Sequence, residues 1–301
     1  MSCFHPGRMY QVVDRYTGEV QWVHSTDASA GFLLLKEVPR PCGQCVGCRY
    51  SKVMEWALRN SQESKMHKLS CFITLTYSSQ NLPVGGTLVK KHFQDFMKRL
   101  REKFNDTKIR EFHCGEYGEE LQRPHYHALL FGFDFPDKIL WKSSEVGNLY
   151  RSPILEKLWT FGFSSIGDVS PESCAYVSRY ISKKITGKIA ASHYRGRLPE
   201  YCDMSRRPGI GHSWFAQYKS DVFPSDDIRT RAGVVVKTPR YYDKLYDVVA
   251  PRMLERIKAR RVLKAQEFLA DQTPRRLKDR EVVLRDKLKK KKRSFENGTA
   301  S

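Results

Sequence analysis

Between Ser70 and Gly187 the hydrophobic pattern alternates between a period of two and the helical period, and the order of those switches restricts the fold more than any other feature of the chain. Cys71-Phe72-Ile73-Thr74-Leu75-Thr76-Tyr77 is β-branched and aromatic and reads as a strand. Pro83 and Gly85-Gly86 break the chain. Thr87 can then cap a helix to about Phe104, with Val89, Phe93, Phe96, Met97, Leu100 and Phe104 at helical spacing. Ile109 to Glu116 and Tyr126 to Phe133 read as a hairpin joined by the turn-like segment 118–124. Ser152-Pro153 opens a short helix ending near Trp159, Phe163 to Val169 is a fourth strand, and Ser170-Pro171 starts a helix that Gly187 closes.

The order β-α-β-β-α-β plus one helix predicts an α+β fold of the ferredoxin-like, split-βαβ class. Its antiparallel four-stranded sheet carries helices on one face and leaves the other for a ligand. Around this core (67–190) the sequence predicts an N-terminal extension with a Cys cluster and a helix (1–66), a basic loop-rich extension (191–250) and a basic helical tail (251–301). The helix of the first segment should run from about Arg49 to Ser64.

Lys plus Arg number 53 against 33 Asp plus Glu in 301 residues, a net +20, so a polyanion is the expected partner. No apolar run approaches the roughly 20 residues that span a bilayer. The opening Met1-Ser2-Cys3-Phe4-His5-Pro6 lacks a basic segment followed by an apolar one. The expectation is a soluble, unexported chain with no membrane partner. Residues 252–293 hold 17 Lys/Arg and 6 Asp/Glu, which reads as a source of non-specific phosphate contacts. Arg206 and Arg207, beside Pro208-Gly209, form a smaller basic loop of the same use.

Eight cysteines in such a chain are thiols or metal ligands rather than a disulfide framework. Cys42, Cys45 and Cys48 are spaced C-x2-C-x2-C, and Cys3 or His5 would complete a tetrahedral structural zinc site; reduced thiols in a Gly-rich turn are the equal alternative.

The hairpin contains Arg123-Pro124-His125-Tyr126-His127. Strand positions two apart share a face, so His125 and His127 can converge on one metal ion. With the turn centred between Glu120 and Leu121, Glu116 lies opposite His125 and becomes the third ligand, whereas His113 falls on the other face. Such a mixed nitrogen and oxygen site suits Mn²⁺, holds Mg²⁺ more weakly and accepts Zn²⁺ or Fe²⁺. On the last helix Val177, Ile181 and Ile185 should face the sheet, with Tyr176, Tyr180 and Lys183/Lys184 about 100° round from them. A phenol attacks phosphorus only when a cation or base removes its proton and a metal draws charge from the phosphate. The plainer reading is an amphipathic helix with tyrosines at the core edge.

Phe72-Ile73-Thr74-Leu75-Thr76-Tyr77, Gly115-Glu116-Tyr117-Gly118, Arg123-Pro124-His125-Tyr126-His127 and Tyr176-x3-Tyr180-x2-Lys183 resemble, together and in order, the motifs of the HUH endonucleases that initiate rolling-circle replication. The segments 41–48, 131–137, 205–211 and 239–242 are similar to the replication-associated proteins of gokushovirus-type microviruses, a resemblance covering about residues 38–250. It implies that one tyrosine nicks a single strand at the phage origin, keeps the 5′ end as a phosphotyrosine ester and frees a 3′-hydroxyl for a host polymerase. The second tyrosine later cleaves the regenerated origin so that the displaced circle is closed. It implies His125, His127 and Glu116 as ligands of Mg²⁺ or Mn²⁺, Tyr176 and Tyr180 as nucleophiles and Lys183 as their lysine. Lys184, Arg206 and Arg207 are left for DNA. Single-stranded and replicative-form DNA, a host helicase and the host cytoplasm follow from the same resemblance. Transesterification needs no ATP, and the chain has no G-x4-G-K-[ST] motif. Rival readings are a plasmid relaxase or tyrosine transposase with the same core, a non-catalytic binder laying single-stranded nucleic acid across an RRM-like sheet, and a two-His-one-carboxylate iron oxygenase.

Overall fold

The computed structural model describes residues 3–24, 31–118, 121–144, 147–187, 189–230 and 233–290. Glu119 and Glu120 of the expected turn and the end of the basic run at 291–293 lie outside them. The chain divides into one unit of Met1–Ser51 with Arg260–Lys292 and a second of Lys52–Ala259. No helix among the described residues is long and apolar enough to cross a membrane.

In the first unit the alternating runs of residues 1–40 form an antiparallel sheet of β1 (Gly7–Asp14), β2 (Val20–Val23) and β3 (Phe32–Arg40), ordered β2-β1-β3. Helix α1 (Val46–Ser64) follows the cysteine turn and continues into the second unit.

The second unit is built on a seven-stranded sheet. Strand β4 (Ser70–Tyr77) leads through a 3-10 turn at Val84–Gly86 to α2 (Lys90–Lys103), β5 (Arg110–Tyr117) and β6 (Pro124–Phe131). A hairpin of β7 (Ile139–Ser144) and β8 (Gly147–Arg151) precedes α3 (Pro153–Leu158), β9 (Gly162–Asp168) and α4 (Pro171–Arg179). After α5 (Ala190–Tyr194), β10 (Tyr201–Met204) adds to the far edge, giving the order β10-β5-β6-β4-β9-β8-β7. Its central four strands, β5-β6-β4-β9, have antiparallel neighbours and the split-βαβ order expected. The hairpin β7–β8 and strand β10 extend it at the edges, from segments whose hydrophobic alternation is too weak to announce strands.

The pleat sends Ile73, Leu75, Tyr77, Tyr126 and Leu130 to one face, where Phe93, Phe96 and Leu100 of α2, Leu155 of α3 and Trp159 close a core. The opposite face is not left bare as expected. Phe72, Phe112, Cys114, Leu129 and Phe131 pack there against Cys174, Tyr176, Val177 and Tyr180, with Trp56 of α1 against the same cluster. Thr87 does not cap α2, which begins at Lys90 after Val89; its hydroxyl instead accepts the Leu198 N–H at 2.9 Å. Helix α4 starts as expected, since Ser170 and Ser173 exchange hydrogen bonds in a capping box with Pro171 at the first turn. It stops at Arg179 rather than near Gly187 and tightens into a 3-10 turn at Tyr180–Ser182.

Among the loops of 191–250 stand α6 (His212–Val222), the hairpin β11 (Asp227–Arg229) with β12 (Val235–Lys237), and α7 (Arg240–Val249). Phe215, Phe223, Tyr242 and Leu254 make their own core with α8 (Pro251–Gln266). The motif 205–211 fits 239–242 closely: a Cβ on Gly209 or Gly211 would meet the Tyr241 or Tyr242 hydroxyl at 2.6 Å. Buried Glu63 fastens this region by accepting from Arg110 Nε at 2.5 Å and from the Gly211 N–H at 2.6 Å. Burial raises the Glu63 carboxyl, but His67, Gly211 and Arg110 outweigh it and hold its pKa below the usual range. In the first unit the chain ends in α9 (Pro274–Lys290), whose Leu277 and Leu284 pack with Cys3, Phe4, Cys45 and Cys48.

Candidate active site

Strand register decides which polar groups share the face under α4. Glu116 of β5 stands opposite His125 of β6, and His127 stands between Cys114 of β5 and Thr74 of β4. The Glu116 carboxylate reaches diagonally to His127 Nε2 at 3.3 Å through one oxygen and accepts Lys183 Nζ at 2.8 Å through the other. Burial raises its pKa, but His127 and Lys183 prevail and hold it at about 2. His125 directs Nδ1 at the Arg123 carbonyl, 2.7 Å away. A carbonyl only accepts, so Nδ1 carries the proton and Nε2 keeps its lone pair. Thr74 Oγ1 meets His127 Nδ1 at 3.0 Å, so each imidazole is oriented through Nδ1. Burial first, then neighbouring His127, lowers the His125 pKa and favours its neutral, ligand-competent form.

Both tyrosines are on this face. Tyr180 stacks on His127 with ring centroids 5.1 Å apart and planes 8° from parallel, and Tyr176 meets the same ring edge-on at 5.4 Å. Phe72 covers His127 from another side at 5.8 Å. The expected arrangement, with Val177 facing the sheet and the phenols about 100° away, is therefore corrected: Tyr176 and Tyr180 are buried in the seam alongside Val177. Ile181 packs against this cluster and Ile185 against the one on the other face, because the helix has already tightened. Burial first, then the negative Glu116 and the Tyr176 phenol, push Tyr180 well above its ordinary pKa. Among the described residues its hydroxyl has no partner in hydrogen-bonding geometry. Lys183 Nζ lies 4.7 Å from the Tyr180 ring centre, so one ammonium joins the carboxylate to the phenol.

The remaining sequence candidates are elsewhere. Lys184 is exposed just past the 3-10 turn. Arg206, exposed after β10, pairs with Asp203 at 2.8 Å, and Arg207 follows it. His113 is on the α2 face as expected, stacked on Phe93 at 4.0 Å, where burial lowers its pKa to about 3. Thr74 and Arg123, which orient the two imidazoles, were not among the candidates; the polar Thr74 and Thr76 in an otherwise apolar strand are the trace they leave.

Two donor sets could hold metal ions. His125, His127 and Glu116 offer two imidazole nitrogens and a carboxylate, a set chemically suited to Mg²⁺ or Mn²⁺. The imidazole rings lie parallel, 6.3 Å apart, and Glu116 is engaged by Lys183. In the first unit, the sulfurs of Cys3, Cys42, Cys45 and Cys48 all lie within 4.8 Å of one another, and this group could hold a metal ion. The fourth member is Cys3, while His5 turns to Glu281 at 2.6 Å. Burial raises the Cys45 thiol, but the N–H groups of Phe4 and Cys48 and the adjacent thiols prevail and bring it to about 6.

Residues 70–185, from β4 to just past the 3-10 turn, match the family of replication-associated protein ORF2. The chain is 32% identical over 236 residues to replication-associated protein VP4 of Bdellovibrio phage phiMH2K, which covers 76% of this chain and 74% of that one. The chain belongs to the microvirus replication-associated proteins. Within that family it is also 33% identical over 218 residues to replication-associated protein ORF2 of Spiroplasma virus 4, covering 68% and 66% of the two chains. Replication-associated protein ORF4 of Chlamydia phage 1 is 28% identical over 183 residues, 56% of this chain and 45% of that one. No solved structure matches the chain. Membership assigns a role in phage DNA replication, and the family match includes Glu116, His125, His127, Tyr176, Tyr180 and Lys183 but none of the clustered cysteines.

Proposed function

We propose that the chain is an HUH-type nickase and strand transferase that initiates rolling-circle replication of a circular phage genome in the host cytoplasm. The observation that carries this reading is the convergence of Tyr176 and Tyr180 on the ring of His127, with Lys183 joined to Glu116 beside them. A tyrosine oxygen attacks the scissile phosphorus, the bond to the 3′ oxygen breaks, and that oxygen leaves as a hydroxyl with the proton the phenol gave up. The 5′ phosphate stays on tyrosine as an ester, so the later attack by a 3′-hydroxyl rejoins the strand without ATP. His125, His127 and Glu116 would hold the Mg²⁺ or Mn²⁺, which draws charge from the phosphate when bound. Lys183 offsets the charge of Glu116, which otherwise holds the neighbouring phenol protonated, and favours its ionisation. Two phenols against one imidazole suit alternate use in nicking and closing. A host helicase and polymerase would work on the nicked duplex, and Arg206, Arg207 and Lys184 would contact its phosphates. The four cysteines would bind a structural zinc ion.

The rival binder needs a bare sheet face, whereas α4 covers the face that carries His127. Incubating the protein with single-stranded origin DNA and Mn²⁺ should give a covalent adduct on a denaturing gel. EDTA, or Tyr176→Phe combined with Tyr180→Phe, should abolish it. Binding with no adduct on any fragment of the phage origin region would return the reading to a binder.

A further inference from the structure

The four thiols are arranged for one ion rather than for a cluster. A tetrahedral ion with metal–sulfur bonds of about 2.3 Å sets its sulfurs about 3.8 Å apart, consistent with four Sγ atoms all within 4.8 Å. The C-x2-C-x2-C run with a remote fourth cysteine is also the spacing of iron–sulfur ligands, but a cubane cluster spreads its thiolates over a larger body. Backbone N–H groups already serve the sulfurs: Phe4 to Cys45 at 3.3 Å, Cys42 to Cys3 at 3.2 Å, Cys45 to Cys42 at 3.3 Å and Cys48 to Cys45 at 3.5 Å. Such bonds suit sulfur that carries negative charge.

Helix α9 is built against this group. Leu277, Glu281 and Leu284 form one helical stripe; the leucines pack with Cys3, Phe4, Cys45 and Cys48, and Glu281 takes His5. On one flank of the stripe Arg275, Lys278, Arg285 and Lys289 are exposed in a line at helical spacing. The line spans about 21 Å at about 1.5 Å per residue.

We propose that a single zinc ion bound by Cys3, Cys42, Cys45 and Cys48 folds the first unit into a nucleic-acid clamp, in which α9 presents the line Arg275, Lys278, Arg285 and Lys289 to the phosphates of single-stranded DNA. The proposal rests on the zinc reading above and extends it to a ligand. Without the ion, the apolar stripe of α9 loses the small cluster that holds it, since Cys3, Phe4, Cys45 and Leu277 are the buried members of that cluster. The clamp is indifferent to base sequence, because its contacts are charges on a helix flank.

The test uses the purified full-length protein and a single-stranded oligothymidylate. Elemental analysis should find one zinc per chain beyond any Mg²⁺ or Mn²⁺, and X-ray absorption should show four sulfurs at about 2.3 Å. Titrations between about 50 and 200 mM salt should then give a slope of log affinity on log salt that is shallower by about 2 in Arg275→Gln/Lys278→Gln/Lys289→Gln, which keeps its zinc. Stripping the metal, or Cys42→Ser with Cys45→Ser, should flatten the slope at least as much and speed hydrogen exchange in α9. No stoichiometric zinc, or iron with inorganic sulfide, overturns the metal. A zinc-loaded triple variant with the parental slope overturns the clamp while leaving the zinc reading standing. Exchange in α9 that is unchanged on stripping overturns the coupling between them.

Discussion

The cluster around Glu116 and the cysteines around Cys45 are both groups of metal-capable side chains, and they are held in opposite ways. Around Glu116 the carboxylate is shared between His127 and Lys183, the imidazoles are turned by Thr74 and Arg123, and two phenols lean on one ring. Around Cys45 four sulfurs crowd together and receive only backbone N–H groups. A closed set of four thiolates fills a tetrahedral ion and leaves no position for substrate, whereas two imidazoles and one carboxylate leave positions open. The first arrangement can take part in a reaction; the second fastens chain segments.

The largest effect should separate these roles outright. His125→Ala with His127→Ala should lower origin nicking on the order of 10⁴-fold in a single-turnover assay. Cys42→Ser with Cys45→Ser should leave low-salt nicking within about threefold, as expected of separate sites. Equal losses in both variants would erase the distinction.

Charge gives the next test. Glu116 is ionised in the fold down to about pH 2, below its unfolded value near 4.5, so it contributes stability above the unfolded pKa that is lost as pH falls through the folded one. Urea unfolding of Glu116→Gln at pH 7 should show a loss of about 3 kcal/mol, the size of that shift. The gap from the parent should narrow as pH falls from about 4.5 toward 2. A gap independent of pH would remove the buried carboxylate from the account. A smaller effect should follow Thr74→Val, which removes the group oriented on His127 Nδ1; Mn²⁺ affinity should drop about 10- to 100-fold with the fold intact. Unchanged affinity would mean that His127 needs no such support.

The hairpin was legible in advance because a turn of set length and a strand period of two leave few registers, and the pairing of Glu116 with His125 is the one anticipated. The central strand order followed from the sequence of periodicities, for the same reason. The tyrosine helix was harder to read. Val177, Ile181 and Ile185 mark a regular stripe, yet the helix tightens at Tyr180, and aromatic rings that can stack on His127 displace the aliphatic seam. Strands β7, β8 and β10 are short and at the sheet margin, where half-exposed residues blur alternation. The choice of Cys3 over His5 was open because 39 residues of chain separate Cys3 from Cys42, and spacing over such a distance restricts nothing.

The most direct measurement is the chemical identity of the bond between protein and DNA. Protein incubated with origin oligonucleotide and Mn²⁺, digested and analysed by mass spectrometry, should yield a nucleotide 5′-phosphate esterified to Tyr176 or Tyr180. A linkage at any other residue, or cleavage that proceeds in full with both tyrosines replaced by phenylalanine, would contradict the account.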